Sequence, residues 1–274
     1  MTPKLKGFFS AEDMSDAKTK KFLIYGPSGS GKTTLACTAP DPYFALAEIG
    51  RSSRRIAAMA KTLGKKIEVA PIETKDDMDS FMDEMEKVNE VKTVVFDSAT
   101  DFYRPLVEKL LGKKDAVPQR NDWQIIQSWM ESTLRRLVNL NHHVIVLAGP
   151  KEYITKEKGE EVRRIVPAFS GDSMPAYIGK LFHAVGFTMK RTDNEGFTRY
   201  ITAFESEDRI LTKVDDGLDP IEGQHVQKWM DKIDAAYDKG SHMYAYDELP
   251  DEVKSTLPTS KEAAIRQSRP APTV

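Results

Sequence analysis

KFLIYGPSGSGKTTLA, Lys21 to Ala36, sets an apolar run directly before a glycine-rich octet and a helix-forming segment directly after it. Strand, loop and helix in that order are the context that the phosphate-binding pattern G-x-x-x-x-G-K-[ST] requires. Gly26, Gly29 and Gly31 let backbone N–H groups turn inward around phosphate oxygens without a Cβ clash. Pro27, Ser28 and Ser30 complete the loop, and Thr34 carries the chain into the helix. Lys32 is placed to reach the β- and γ-phosphates, and Thr33 to offer its hydroxyl to Mg²⁺. The helix starting near Lys32 adds its positive dipole end. ATP with Mg²⁺ is the expected ligand of residues 26–34.

Such an ion also needs a carboxylate at the end of a neighbouring strand. Asp97, closing the buried run TVVFD, is the candidate, with Thr33 as the second metal-side group. Further strands are expected at Tyr43–Glu48, at IEVAPI, and at HHVIVLAG. Between them lie helical patterns. Met78, Phe81, Met82, Met85 and Val88 repeat at helical spacing, as do Trp123, Ile126, Met130, Leu134 and Leu137. Strands alternating with helices predict an α/β fold, with a mostly parallel central sheet flanked by helices. YITKEKGEEVRRIVPAF reads as a hairpin or mobile loop turning at Lys158-Gly159, HAVGFTMKR and FTRYITAFES as late paired strands, and GQHVQKWMDKIDAAYD as a last helix.

The chain has 274 residues and a formal net charge of −2, which argues against binding nucleic acid over its whole surface and leaves room for a local basic patch. Its one cysteine, Cys37, excludes an intrachain disulfide and any multi-cysteine zinc site, and reads as a small buried residue. His142 and His143 are adjacent on an incipient strand and so point to opposite faces, a poor chelate. The first twenty residues lack the apolar core of a signal peptide, and no apolar run is long enough to span a bilayer. A cytoplasmic location without membrane attachment is expected. The expected organisation is a loose arm over 1–20, a nucleotide-binding core over 21–206, a helical extension over 207–239 and a polar tail over 240–274. GSHM, Gly240–Met243, is either a vector-derived scar or a chance occurrence.

Asp97 is followed by serine, and VVFDSAT resembles the apolar-strand, Asp-Ser signature of the RecA/RadA recombinases. The resemblance covers about residues 20–206. It is similar in kind to phage-encoded ATP-binding proteins with a minimal RecA-like core, some of which act in single-strand annealing and recombination. It implies a RecA-like P-loop NTPase core and ATPase activity, with Lys32, Asp97 and Glu48 catalytic. Glu48 would be the general base supplied from the end of another strand. The resemblance also implies self-association in the host cytoplasm, single-stranded DNA as ligand and, as a further partner, a single-strand-binding protein. Lys190 and Arg191, before a turn, would reach into a neighbour's nucleotide site. Gly149-Pro150 stands where the family carries a polar sensor, with Lys151 as its substitute.

For DNA, two groups are candidates. Arg51, Arg54 and Arg55 lie within about one helical turn. In the Lys151–Ser170 loop, Tyr153 would stack on a base and Lys156, Lys158, Arg163 and Arg164 would meet phosphates. Two rival readings remain: a small-molecule or nucleoside kinase with Arg163-Arg164 on a lid, and a nucleotide-gated interaction protein that does not hydrolyse.

Overall fold

The computed structural model describes residues 19–48, 50–90, 92–113, 117–157, 160–169, 177–192, 195–205, 209–215 and 217–238. The arm over 1–18 and the tail from 239 lie outside the described residues, as does the GSHM segment.

Strand β1, Lys21–Tyr25, is buried at all five positions. Its side chains alternate between two cores: Leu23 and Tyr25 face one, Phe22 and Ile24 the other. That double burial is why the run reads as continuously apolar. Strands β2 (Pro42–Leu46), β3 (Glu68–Pro71), β4 (Thr93–Asp97) and β5 (His143–Ala148) lie on one side of β1, and β8 (Ala184–Thr192) on the other. With β9 (Thr198–Ala203) and β10 (Ile221–Gly223) they make an eight-stranded sheet ordered β10-β9-β8-β1-β5-β4-β2-β3. The pairings from β8 to β3 are parallel, while β8–β9 and β9–β10 are antiparallel.

Helices cover both faces. The short α1 (Lys32–Ala36), α2 (Arg51–Leu63) and the last helix α6 (Val226–Asp238) bury Leu35, Ile56 and Trp229 against one face. The helices α3 (Lys75–Met85), α4 (Tyr103–Leu111) and α5 (Arg120–Asn139) bury Met78, Leu106 and Ile126 against the other. Thr74 opens α3 with a reciprocal capping box to Asp77. None of the helices among the described residues is long and apolar enough to cross a membrane.

The C-terminal segment departs from expectation. Rather than a helical extension beyond a core ending at 206, β10 pairs with β9 inside the main sheet. On α6, Trp229 is fully buried, its ring 4.9 Å from Phe204 and 6.1 Å from Phe22. Sequence-local periodicity cannot reveal that the two strands before the last helix close onto β1's own core. Of the two alternatives for the segment after β5, the hairpin is the one formed: β6 (Pro150–Glu157) and β7 (Glu160–Pro167) make a separate two-stranded antiparallel sheet, with the Lys158-Gly159 turn outside the described residues.

Histidines close the amino ends of the parallel strands. His143 Nδ1 accepts from the Lys20 N–H at 3.0 Å, and His183 Nδ1 from Lys21 N–H at 2.9 Å. His142 Nδ1 accepts from Lys92 N–H at 3.2 Å, and its Nε2 lies 2.8 Å from the Met85 carbonyl, so the pair is structural and split between partners. Burial, then the charges of Lys20 and Lys21, push the His143 pKa from 6.5 down to about 4. A depressed folded value means that the neutral ring stabilises the fold above pH 6.5, and that this stability is lost as pH falls towards 4. Urea unfolding at pH 7 and pH 4 is expected to show a loss on the order of 2–3 kcal/mol that His143→Gln does not share. Equal losses in both proteins would refute it.

Candidate nucleotide site

The site assembles at the carboxyl ends of the parallel strands, where open α/β sheets leave a crevice. The loop after β1 turns back through Gly26, whose N–H donates to the Ala148 carbonyl at 3.3 Å, and through a Ser30 N–H to Pro27 carbonyl bond of 3.2 Å. A Cβ on Gly26 would lie 2.4 Å from both the carbonyl and the hydroxyl of Thr188 on β8, and Ser30 Oγ lies 2.6 Å from that same hydroxyl. Gly31 has φ 96°, and a Cβ there would sit 2.4 Å from Gln224 Oε1 and 3.1 Å from the Tyr200 ring. The loop is thus gripped from outside by β8, β9 and the β10–α6 junction, where Gln224 Nε2 donates to the Ser30 carbonyl at 2.9 Å.

Lys32 Nζ donates to the carbonyls of Gly26 at 2.6 Å and Pro27 at 3.0 Å. Burial lowers its pKa, and the carboxylates of Asp97, Glu48 and Asp101 oppose that shift. Thr33 Oγ1 donates to Asp97 Oδ2 at 2.8 Å, so these two groups, sixty-four positions apart, converge at one point. Asp97 is almost fully buried; desolvation raises its pKa to about 6, partly offset by the Thr33 hydrogen bond and by Lys32. The peptide joining Asp97 to Ser98 is cis.

A cleft of about 850 Å³ contains Lys32, Thr33, Asp97 and Glu48 together. Glu48 is exposed and sits two residues past the end of β2, next to β4 in the sheet. Thr34 Oγ1, on the cleft wall, is buried and has no hydrogen-bond partner among the described residues, a hydroxyl that a ligand oxygen would satisfy. The donor set fits magnesium: one hydroxyl and one carboxylate, with the remaining positions left to phosphate oxygens and water. Among the described residues no group of three or more His, Cys, Asp or Glu is gathered for a metal. Cys37 is buried and its thiol is pushed up to about 12, largely by desolvation, so it packs rather than reacts.

Lys190 lines the cleft of its own chain, with Nζ 3.8 Å from where a Gly29 Cβ would stand. Arg191 is exposed one position further along β8. Arg55 lines the same cleft; Arg54 is exposed, and the Arg51 side chain lies outside the described residues. In the β6–β7 hairpin, Tyr153 pairs with Arg164 and Ile154 with Arg163. Adjacent residues on a strand face opposite ways, so Arg163 and Arg164 cannot share one surface. The side chain of Lys156, and all of Lys158, lie outside the described residues. Lys151, the sensor substitute, lies in β6; Thr100 engages the end of β5, its hydroxyl accepting from Gly149 N–H at 2.8 Å and donating to the Ala168 carbonyl at 3.0 Å.

Among the cleft residues that sequence reading missed are Asp101, Thr100, Tyr200 and Gln224. Asp101 had a signal, since it follows Asp97 by four positions and accepts the Ser98 hydroxyl. Tyr200 and Gln224 had none.

A P-loop nucleoside-triphosphatase core is what this sheet and this cleft define. Residues 18–215 match the AAA domain family AAA_24, and the chain belongs to it. The matched segment is an AAA-type P-loop domain. No curated protein matches the sequence. Among solved structures the chain is similar to a prototypical ATPase from the type III secretion system of pathogenic bacteria, at 15% identity and a TM-score of 0.36. That similarity spans 62% of this chain and 51% of the other, so the chain covers about half of that ATPase's length.

Proposed function

We propose that the chain is a magnesium-dependent ATPase that holds single-stranded DNA, of the kind used in phage-type recombination or annealing, and that it works as an assembly of identical copies. Thr33 and Asp97 would hold the magnesium ion, whose charge offsets that of the triphosphate. Lys32 neutralises the phosphate chain from within the loop. Glu48 orients a water for in-line attack on the γ-phosphorus and takes its proton. The water oxygen forms the new bond to phosphorus, the bond to the β–γ bridging oxygen breaks, and ADP and inorganic phosphate leave.

The observation that carries the DNA part is the Thr100 hydroxyl. It joins the segment after Asp97 to Gly149 at the end of β5 and to Ala168 at the end of β7, one bond to each. The β6–β7 hairpin grows directly from that junction and carries Tyr153 and Arg164 opposite one another. A change at Asp97 on nucleotide binding therefore has a two-bond route to a hairpin able to offer stacking and phosphate contacts.

Phosphate release measured with and without a single-stranded oligonucleotide tests this. Stimulation of several-fold, lost in Thr100→Val, is expected. Turnover indifferent to DNA, with γ-phosphate transferred to a metabolite, would favour the kinase reading, and tight ATP binding without turnover the switch. A single-strand-binding protein added to the same assay examines that further partner.

A further inference from the structure

The cleft has two unlike walls. One carries the carboxylates of Asp97, Asp101 and Glu48, each of which acts electrostatically on Lys32. The other is built from the β8–β9 hairpin and the β10–α6 junction: Lys190, Tyr200 and Gln224. Lys190 and Tyr200 are directly opposed across the two strands, and the Lys190 ammonium lies 5.4 Å from the Tyr200 ring centroid. The ring edge approaches Gly31, and Lys190 approaches Gly29, so both overhang the same loop of the same chain. Tyr200 nevertheless keeps 45% of its surface exposed, a large aromatic face spent on no core.

A nucleoside triphosphate is polar end to end, and the walls select its direction. Its terminal phosphates, already needing a cation, suit the side where Thr33 and Asp97 meet. Its nucleoside, on the far side, meets an aromatic ring with a cation beside it. We propose that Tyr200 is the stacking platform for the nucleobase and that Lys190 contacts the phosphate chain in cis, making the β8–β9 hairpin the nucleoside-binding wall of the chain's own site. Gln224 fixes that wall to the loop through its bonds to the carbonyls of Ser30 at 2.9 Å and Ile201 at 3.3 Å. Stacking on a ring is tolerant of base identity, so the ligand class is a nucleoside triphosphate and the selectivity between bases lies elsewhere.

This rests on nucleotide binding and not on the DNA reading, and the test contains no DNA. Calorimetry on the full chain compares magnesium-ATP with inorganic tripolyphosphate, which has the phosphates and no base. Tyr200→Ala is expected to weaken ATP about tenfold and leave tripolyphosphate unchanged, while Tyr200→Phe matches the parent for both. Lys190→Ala is expected to weaken both ligands by the same factor, about fivefold. At ATP well below the parent's Kd, Lys190→Ala chains mixed with Lys32→Ala chains, which retain Lys190, are expected to hydrolyse no faster than the Lys190→Ala chains alone. An ATP affinity untouched in Tyr200→Ala, equal losses for both ligands in that variant, or faster hydrolysis in the mixture would each overturn the assignment. Failure of the parent chain to bind either ligand would overturn the nucleotide site itself.

Discussion

Lys32→Ala is expected to lower ATP turnover by at least about a hundredfold, the scale seen when one charge-stabilising donor is removed from a phosphoryl or acyl transfer site. The reason is local charge. Asp97, Glu48 and Asp101 all bear on the Lys32 ammonium. Without it, a polyphosphate would approach three carboxylates across a partly desolvated cleft, where repulsion is screened less than in water. The Gly26 and Pro27 carbonyls that now accept from Nζ would also turn unpaired acceptors towards the same anion. Phosphate release and ATP titration measure the loss, with thermal unfolding to show that the sheet persists. Turnover within about threefold of the parent would mean that the reaction occurs somewhere else.

Glu48→Gln is expected to separate binding from chemistry. The amide keeps the size of the carboxylate and removes only its ability to accept the water's proton, so ATP affinity should stay within about threefold while turnover falls by about 10² to 10⁴. Asp101→Asn is the decisive companion, because Asp101 lines the same cleft. Its carboxylate accepts the Ser98 hydroxyl, so its orientation is already fixed by a neighbour. Normal turnover in Glu48→Gln together with loss in Asp101→Asn would transfer the base role to Asp101. Loss of ATP affinity in Glu48→Gln would make Glu48 a binding residue.

Much of the architecture was legible because its determinants are local. The run before Gly26, the run ending at Asp97 and the run ending at Ala148 are buried on both faces, and such strands leave uninterrupted apolar segments in any sequence. The helix over Arg120–Asn139 announced itself through Ile126, Met130, Leu134 and Leu137, all fully buried on one face. What local pattern could not convey is partnership. Charge near Arg55 was legible, but that the turn of α2 brings this residue to the nucleotide cleft was not. Lys190 was legible as a cation before a turn, but its direction depends on the strand register that sets it opposite Tyr200.

The glycine loop with its lysine and threonine, the strand ending in Asp97 and the alternation of strands with helices were determined by the sequence alone, because each follows from residue type and short-range periodicity. That Thr33 meets Asp97, that Thr100 engages the end of β5, and that Lys190, Tyr200 and Gln224 wall the chain's own cleft were decided only by tertiary structure. Those contacts join residues far apart in the chain, and they exist because parallel pairing in this strand order brings the carboxyl ends of β1, β5, β4 and β8 to one edge.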